Sequence, residues 1–170
     1  MQKVWFCQHR VKSLSKKNII DENKKGKSII ISLDLEHYKD DLLITEIERK
    51  KDIINKYSIL KILDRDLEKI RYNQFMCILF GSYANKTAKK SSDIDLLFVI
   101  PEEYKYDKFE KNIKSKINIS DVDIQITTEQ GLIEMWNTPL KLNVGNELLK
   151  KHIILKGAEA FLHLRRKYYV

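Results

Sequence analysis

The sequence predicts a mixed α/β fold of the α+β kind, a short β-sheet flanked by helices, on three observations. Apolar residues recur at three- and four-residue steps from Asp41 to Ile70, the spacing of an amphipathic helix. The period then changes, because Phe75 to Phe80 and Ile94 to Ile100 are continuous apolar runs of the kind found in buried central strands. Val122 to Thr127 alternates Val122, Ile124 and Ile126 with Asp123 and Gln125, as a strand with two unlike faces does. A chain of 170 residues buries one good core with a small appendage.

The elements follow in order. Val4, Cys7, Val11 and Leu14 stand at helical spacing and predict a short amphipathic helix. Two β-branched runs, near Ile19 and from Ile29 to Ile31, flank a polar stretch with Gly26 and read as a hairpin whose tip carries Lys24, Lys25 and Lys27. A break in organisation falls near Glu36 to Asp40, giving an N-terminal unit over 1–40 and a main domain over 41–170 that includes the long leading helix. Leu43, Ile47, Ile54, Tyr57, Leu60, Leu63, Leu67 and Ile70 line that helix, which is free to bend or break but contains no Pro or Gly. Glu102 to Ile117 reads as a helix with Tyr106, Phe109, Ile113 and Ile117 on one face. Another begins near Thr128, with Glu129 in its first turn, and ends by Pro139. Asn146 to Lys156 is expected to be helical and capped by Gly157, with a last short helix over Glu159 to Lys167.

The formal net charge is +8 and 33% of the residues are charged, mostly as lysine, which suits phosphate-bearing partners such as nucleotides, RNA or DNA. A lysine-rich surface also serves solubility, so charge alone names no ligand. Cys77 lies inside an apolar run and is expected as a free buried thiol rather than half of a bridge. The first ten residues, MQKVWFCQHR, contain no apolar stretch fit for a signal peptide, and no segment is apolar enough to span a bilayer. A reducing, cytoplasmic setting without membrane contact is the expectation. His9, His37, His152 and His163 show no metal-ligand spacing with one another or with the cysteines.

The chemistry-bearing stretch is a strand, the Gly81-Ser82 turn, the polar and basic loop from Tyr83 to Ser92, and Asp93-Ile94-Asp95 opening a second buried strand. Gly81 permits a sharp turn and close approach of a ligand to the backbone. Ser82 adds a hydroxyl, and free N–H groups at such a turn point toward a bound anion, for which a triphosphate is the natural guest. Asp93 and Asp95, two apart, face the same way, while Ile94 points into the core. Paired carboxylates repel unless a cation joins them. Mg²⁺ takes oxygen ligands and commonly joins one or two carboxylates to substrate phosphates. Asp123 in the next strand would complete a site for two metals, with Asp121 as its competitor. Taken singly, a Gly-Ser pair is usually a turn and an Asp-x-Asp a solvated loop. Two carboxylates in an apolar strand are harder to dismiss, because unpaired buried charge is costly.

The conjunction GSYANKTAKKSSDIDLLFVI resembles the signature of the DNA polymerase β-like nucleotidyltransferases, in particular the minimal nucleotidyltransferases. Gly81, Ser82, Ala84, Ser92, Asp93, Asp95 and Leu96 fall on it at the family's spacing, and NELLKKHIILKGAEAFL is similar to the tail of these proteins. The resemblance covers roughly Asn73 to Leu162. It implies a nucleotidyltransferase fold in which Gly81, Ser82 and Ser92 hold the nucleotide and Asp93, Asp95 and Asp123 bind Mg²⁺ and carry catalysis. The family often has a second glycine where Lys86 stands here, which bears on the loop's conformation and removes no ligand.

Three functions follow as expectations. The first is an enzyme that moves a nucleoside monophosphate from ATP or another NTP to a hydroxyl of a protein or RNA. The second, also implied by the resemblance, is an antitoxin-type partner of a HEPN-like ribonuclease. The third is a DNA-binding regulator, since the N-terminal helix and basic-tipped hairpin resemble the last helix and wing of a winged helix. A degenerate or truncated module serving homodimer contacts is the reading preferred for that unit over DNA binding.

Overall fold

The computed structural model describes residues 2–34 and 40–169. The expected domain boundary near Glu36 to Asp40 falls almost wholly on residues 35–39, outside the described residues, as do the Val4 and Cys7 side chains.

All four residues of β3 (Met76–Leu79) are buried, so the strand needs partners on both edges and cover on both faces. Its partners are β4 (Ile94–Ile100) on one side and β6 (Ile153–Lys156) on the other, both antiparallel. A fourth strand, β5 (Val122–Thr128), adds parallel to the outer edge of β4, giving a mixed sheet in the order β5-β4-β3-β6. The parallel pair requires a crossover, which α5 (Tyr106–Lys116) supplies.

Alternation of side chains splits the core into two layers. Cys77, Leu79, Leu96 and Phe98 face Ile53 of α2 (Asp40–Lys56), Leu60 and Leu63 of α3 (Ser58–Leu67), and Phe109 and Ile113 of α5. Met76, Ile78, Leu97 and Val99 face Leu132 and Trp136 of α6 (Glu129–Trp136), Leu148 of α7 (Val144–Lys150) and Phe161 of α8 (Ala158–Tyr169). Cys77 is a free buried thiol whose proton is held far more tightly than usual, because burial disfavours the thiolate.

The long leading helix breaks at Tyr57, whose backbone is extended at φ −122° and ψ 107°. The break lets α3 turn its apolar stripe onto the sheet. Tyr106, expected on the buried face of α5, is exposed, since the helix begins there. The main correction concerns residues 146–156. The helix covers only Val144–Lys150, and Ile153–Lys156 is a strand. Its leucines and isoleucines fit helical spacing, but β3 would otherwise keep an open buried edge, and the β-branched Ile153-Ile154 pair fills it. Gly157, with φ +78°, therefore follows a strand; a Cβ there would meet the Phe75 carbonyl oxygen at 2.9 Å.

The N-terminal unit consists of α1 (Gln2–Lys16) and the hairpin β1 (Ile20–Lys25) and β2 (Ser28–Leu33), closed at Gly26-Lys27 with Gly26 at φ +62°. Among the described residues no helix is long and apolar enough to cross a membrane.

Candidate functional site

β3 delivers the chain to Gly81 at φ +63°, a left-handed conformation that opens the single-turn helix α4 (Gly81–Ala84). A Cβ built on Gly81 would stand 2.0 Å from Oδ2 of Asp95. The Asp95 carboxylate is therefore seated on the Gly81 backbone, in space that only glycine leaves open. The Ser82 backbone N–H donates to that carboxylate, and the Phe80 N–H donates to the Asp95 carbonyl oxygen at 3.1 Å. The sequence reading reserved such N–H groups for phosphate; the Ser82 amide instead holds Asp95. The half-buried Ser82 side chain still reaches solvent.

The pairing of β4 with β5 sets the other carboxylates. Asp95 lies directly across from Asp123, on the same face of the sheet. β4 begins at Ile94, so Asp93 stands just outside the ladder, exposed, where its charge still acts on Asp95. Burial pushes the Asp95 carboxyl above the usual carboxylate range; the charges of Asp123 and Asp93 raise it further, the Ser82 N–H opposes them, and Glu147 of α7 adds a smaller rise. Glu147 escaped the sequence reading because only the tertiary fold brings α7 to this strand.

Asp121 takes a different place. Its carbonyl oxygen accepts from the Ile94 N–H at 2.9 Å, and its carboxylate accepts from the Ser120 hydroxyl at 3.1 Å. The register thus puts Asp123, not Asp121, opposite Asp95. Gln125 Nε2 donates to Asp123 Oδ2 at 3.2 Å. Among the described residues, no three His, Cys, Asp or Glu side chains stand close enough to cage a metal ion. The carboxylates meet as neighbours, Asp95 with Asp123 and Asp95 with Asp93, and do not converge on one point.

The loop between Ala84 and Asp93 is internally tied. Asn85 N–H donates to the Gly81 carbonyl at 3.0 Å and Thr87 N–H to the Ser82 carbonyl at 3.0 Å. Ser92 Oγ accepts from the Lys89 N–H at 2.9 Å, while the Ser92 N–H returns to the Lys89 carbonyl at 3.1 Å, so Ser92 closes a turn. Lys86 has φ +63°, the left-handed conformation that favours glycine. The loop keeps the glycine-type backbone although the side chain is lysine. Lys56 Nζ donates to the Lys86 carbonyl at 3.1 Å, and Lys151 Nζ to that of Asn85 at 3.3 Å, clamping the loop from two sides.

A cleft of about 540 Å³ opens between the start of α3, the loop, and the turn that leads into β5; Ser92 and Ile94 line it, while Asp93, Asp95 and Asp123 do not. Asp66 fixes that turn: its buried carboxylate accepts from Lys69 at 2.5 Å and from the Asn118 N–H at 3.1 Å, which holds its acidity above normal. The sequence reading missed the cleft's walls, Lys56, Tyr57, Tyr83, Lys89 and Lys90, which no local motif groups together.

Residues 56–119 match the family model described as a nucleotidyltransferase domain. No curated protein and no solved structure matches the chain.

Proposed function

We propose that this chain, whose residues 56–119 match the model of a nucleotidyltransferase domain, moves a nucleoside monophosphate, AMP from ATP, to a hydroxyl of an RNA or a protein. One observation carries the reading: Asp95, seated on the Gly81 turn, faces Asp123 across β4 and β5 with Asp93 beside it. Burial is the first cause of the raised proton affinity of Asp95; the negative charges of Asp123 and Asp93, which add to it, also favour a divalent cation, and carboxylate oxygen suits Mg²⁺.

As neighbouring pairs rather than a three-carboxylate cage, Asp95 with Asp93 and Asp95 with Asp123 would hold Mg²⁺, as one or two ions, with phosphate oxygens of the nucleotide as further ligands. Such ions polarise the phosphoryl oxygens and offset charge on the attacking and leaving oxygens. The chain's own groups do the rest. The Ser82 hydroxyl donates to a phosphate oxygen of the nucleotide. Ser92 keeps the loop closed over it through the paired hydrogen bonds with Lys89. Asp123, exposed at the sheet's outer strand, takes the proton from the acceptor hydroxyl. The acceptor oxygen then bonds to the α-phosphorus, the bond to the β-phosphate oxygen breaks, and pyrophosphate leaves.

Incubation with Mg²⁺ and α-labelled ATP tests this, with RNA and a HEPN-type helical ribonuclease as acceptors. Wild type is expected to transfer label to one of them, and Asp93→Ala/Asp95→Ala to lose it by roughly a hundredfold or more, the scale of a lost transition-state contact. Equal transfer by the two proteins, or no transfer by wild type to either acceptor, refutes the reading.

A further inference from the structure

We propose that the free edge of β2 is a dimerisation edge: β2 of a second copy of this chain pairs with it antiparallel, about a twofold axis through Ile30, and joins two hairpins into one four-stranded sheet. The inference stands apart from the transferase reading, since it uses the N-terminal unit alone.

The hairpin is open in a way that the main sheet's central strands are not. Its sheet has two strands, so among the described residues the outer edge of β2 faces no other strand. All six residues, Ser28–Leu33, are exposed, with Ile29 at 57% and Ile30 at 48%. A hairpin alone is marginal in water, and three or more strands are the usual remedy. Natural edges are blunted by lysine, proline or a bulge. β2 contains none of these, and its register with β1 runs unbroken from Leu33 to Ser28.

The strand's own sequence selects the occupant. Ser28-Ile29-Ile30-Ile31-Ser32 reads the same in both directions. Antiparallel pairing centred on Ile30 sets Ile30 against Ile30 of the second copy, Ile29 against its Ile31, and Ser28 against its Ser32. Isoleucine then meets isoleucine on both faces, and serine meets serine at both ends, pairs that stabilise an antiparallel ladder. One strand is thereby its own complement, as a twofold interface between identical chains requires. A strand from an unrelated protein has no such built-in match.

Charge selects the direction. Along β1, Asp21 and Glu22 lie toward the base of the hairpin and Lys24 and Lys25 toward its tip; among the described residues none of the four forms an ion pair. Glu22 stands opposite Ile31 and Lys24 opposite Ile29, while Asp21 stands opposite Ser32 and Lys25 opposite Ser28. In the antiparallel dimer the row through Ile31 therefore runs from Glu22 of one copy to Lys24 of the second copy, and the row through Ser32 from Asp21 to Lys25 of the second copy. Each charged row is balanced. Parallel pairing in register would set lysine level with lysine and acid with acid. Three strand spacings, about 14 Å, separate the ends of a row, so charge orients the pair and the isoleucines hold it.

The test is sedimentation of the full chain from about 1 to 300 µM, because so short an edge is small beside a standard interface and suits a micromolar dimer. Wild type is expected to pass from monomer to dimer across that range. Ile30→Lys and Ile30→Glu each set like charges face to face on the axis and should weaken self-association about a hundredfold or more. Ile30 is exposed, so neither substitution disturbs a core. Mixed one to one, the two variants should recover a dimer, since lysine then faces glutamate. Amide exchange over residues 28–32 checks the edge in wild type without any substitution, and it should slow as concentration rises. A wild type that stays monomeric overturns the proposal and leaves the edge to a different protein. Dimers that persist in both single variants overturn it by placing the contact elsewhere. A mixture that stays monomeric, or amides whose exchange ignores concentration, overturns it as well.

Discussion

Gly81 is the position where the smallest change has the clearest consequence. Its φ of +63° strains any side chain, and its missing Cβ is the space that Asp95 occupies. Gly81→Ala should therefore displace the Asp95 carboxylate and lower transfer about a hundredfold or more, beside a stability loss of about 1–2 kcal/mol for the left-handed backbone. Paired activity assays and thermal melts measure both effects; a variant with wild-type turnover would show that Asp95 need not sit there. Much at this scale was legible beforehand. A Gly after a buried strand, and Asp93 and Asp95 two apart, follow from local geometry alone. The preference for Asp123 over Asp121 came from the resemblance, because the two share a parity. The register of β4 against β5, which sets Asp123 across from Asp95, was not legible, since a hydrophobic pattern does not number hydrogen bonds across strands. The bond from the Ser82 amide to Asp95 was not legible for a related reason: a turn sequence does not say which acceptor reaches its N–H groups.

At the level of elements, the loop from Asn85 to Ser92 carries its own strain. Lys86 holds a conformation that costs a residue with a Cβ about 1 kcal/mol, so Lys86→Gly should leave stability unchanged or raise it by up to that amount, net of glycine's extra freedom in the unfolded chain. Thermal denaturation checks the sign, and a fall of the midpoint would mean that the lysine side chain itself is anchoring the loop. Helices were the most legible elements here, since α2, α3 and α5 each repeat an apolar stripe. A bend or break in the long helix was allowed for, but the sequence did not place it at Tyr57. Residues 153–156 were misread because their apolar spacing satisfies a helix as well as a strand, and what decides is the vacancy along β3, a fact about a distant segment. Short apolar runs of this kind take their structure from the partner on offer.

For the whole molecule, the sheet is sandwiched between two apolar layers, and a buried histidine on one of them ties stability to pH. His152 packs against Phe161 with ring centroids 4.9 Å apart and the rings tilted by 57°, and bonds through Nδ1 to the Leu148 carbonyl. Burial, helped by the charges of Arg49 and Arg165, lowers its pKa from 6.5 to about 4. The unfolded chain therefore takes up the proton first as pH falls. The stability present above pH 6.5 drains away down to about pH 4, by roughly 3 kcal/mol at about 1.4 kcal/mol per pH step. Denaturant midpoints across that range should follow this slope in wild type and flatten in His152→Gln; an equal slope in both would assign the acid loss to other groups. The antiparallel pair β3 and β4 joins neighbours in the chain, and it already seats Asp95 on Gly81. Asp123 arrives only when the crossover through α5 closes the parallel pair. A chain in which that parallel pair has not closed lacks the carboxylate opposite Asp95, so the proposed site depends on a long-range contact that its two neighbouring strands do not supply.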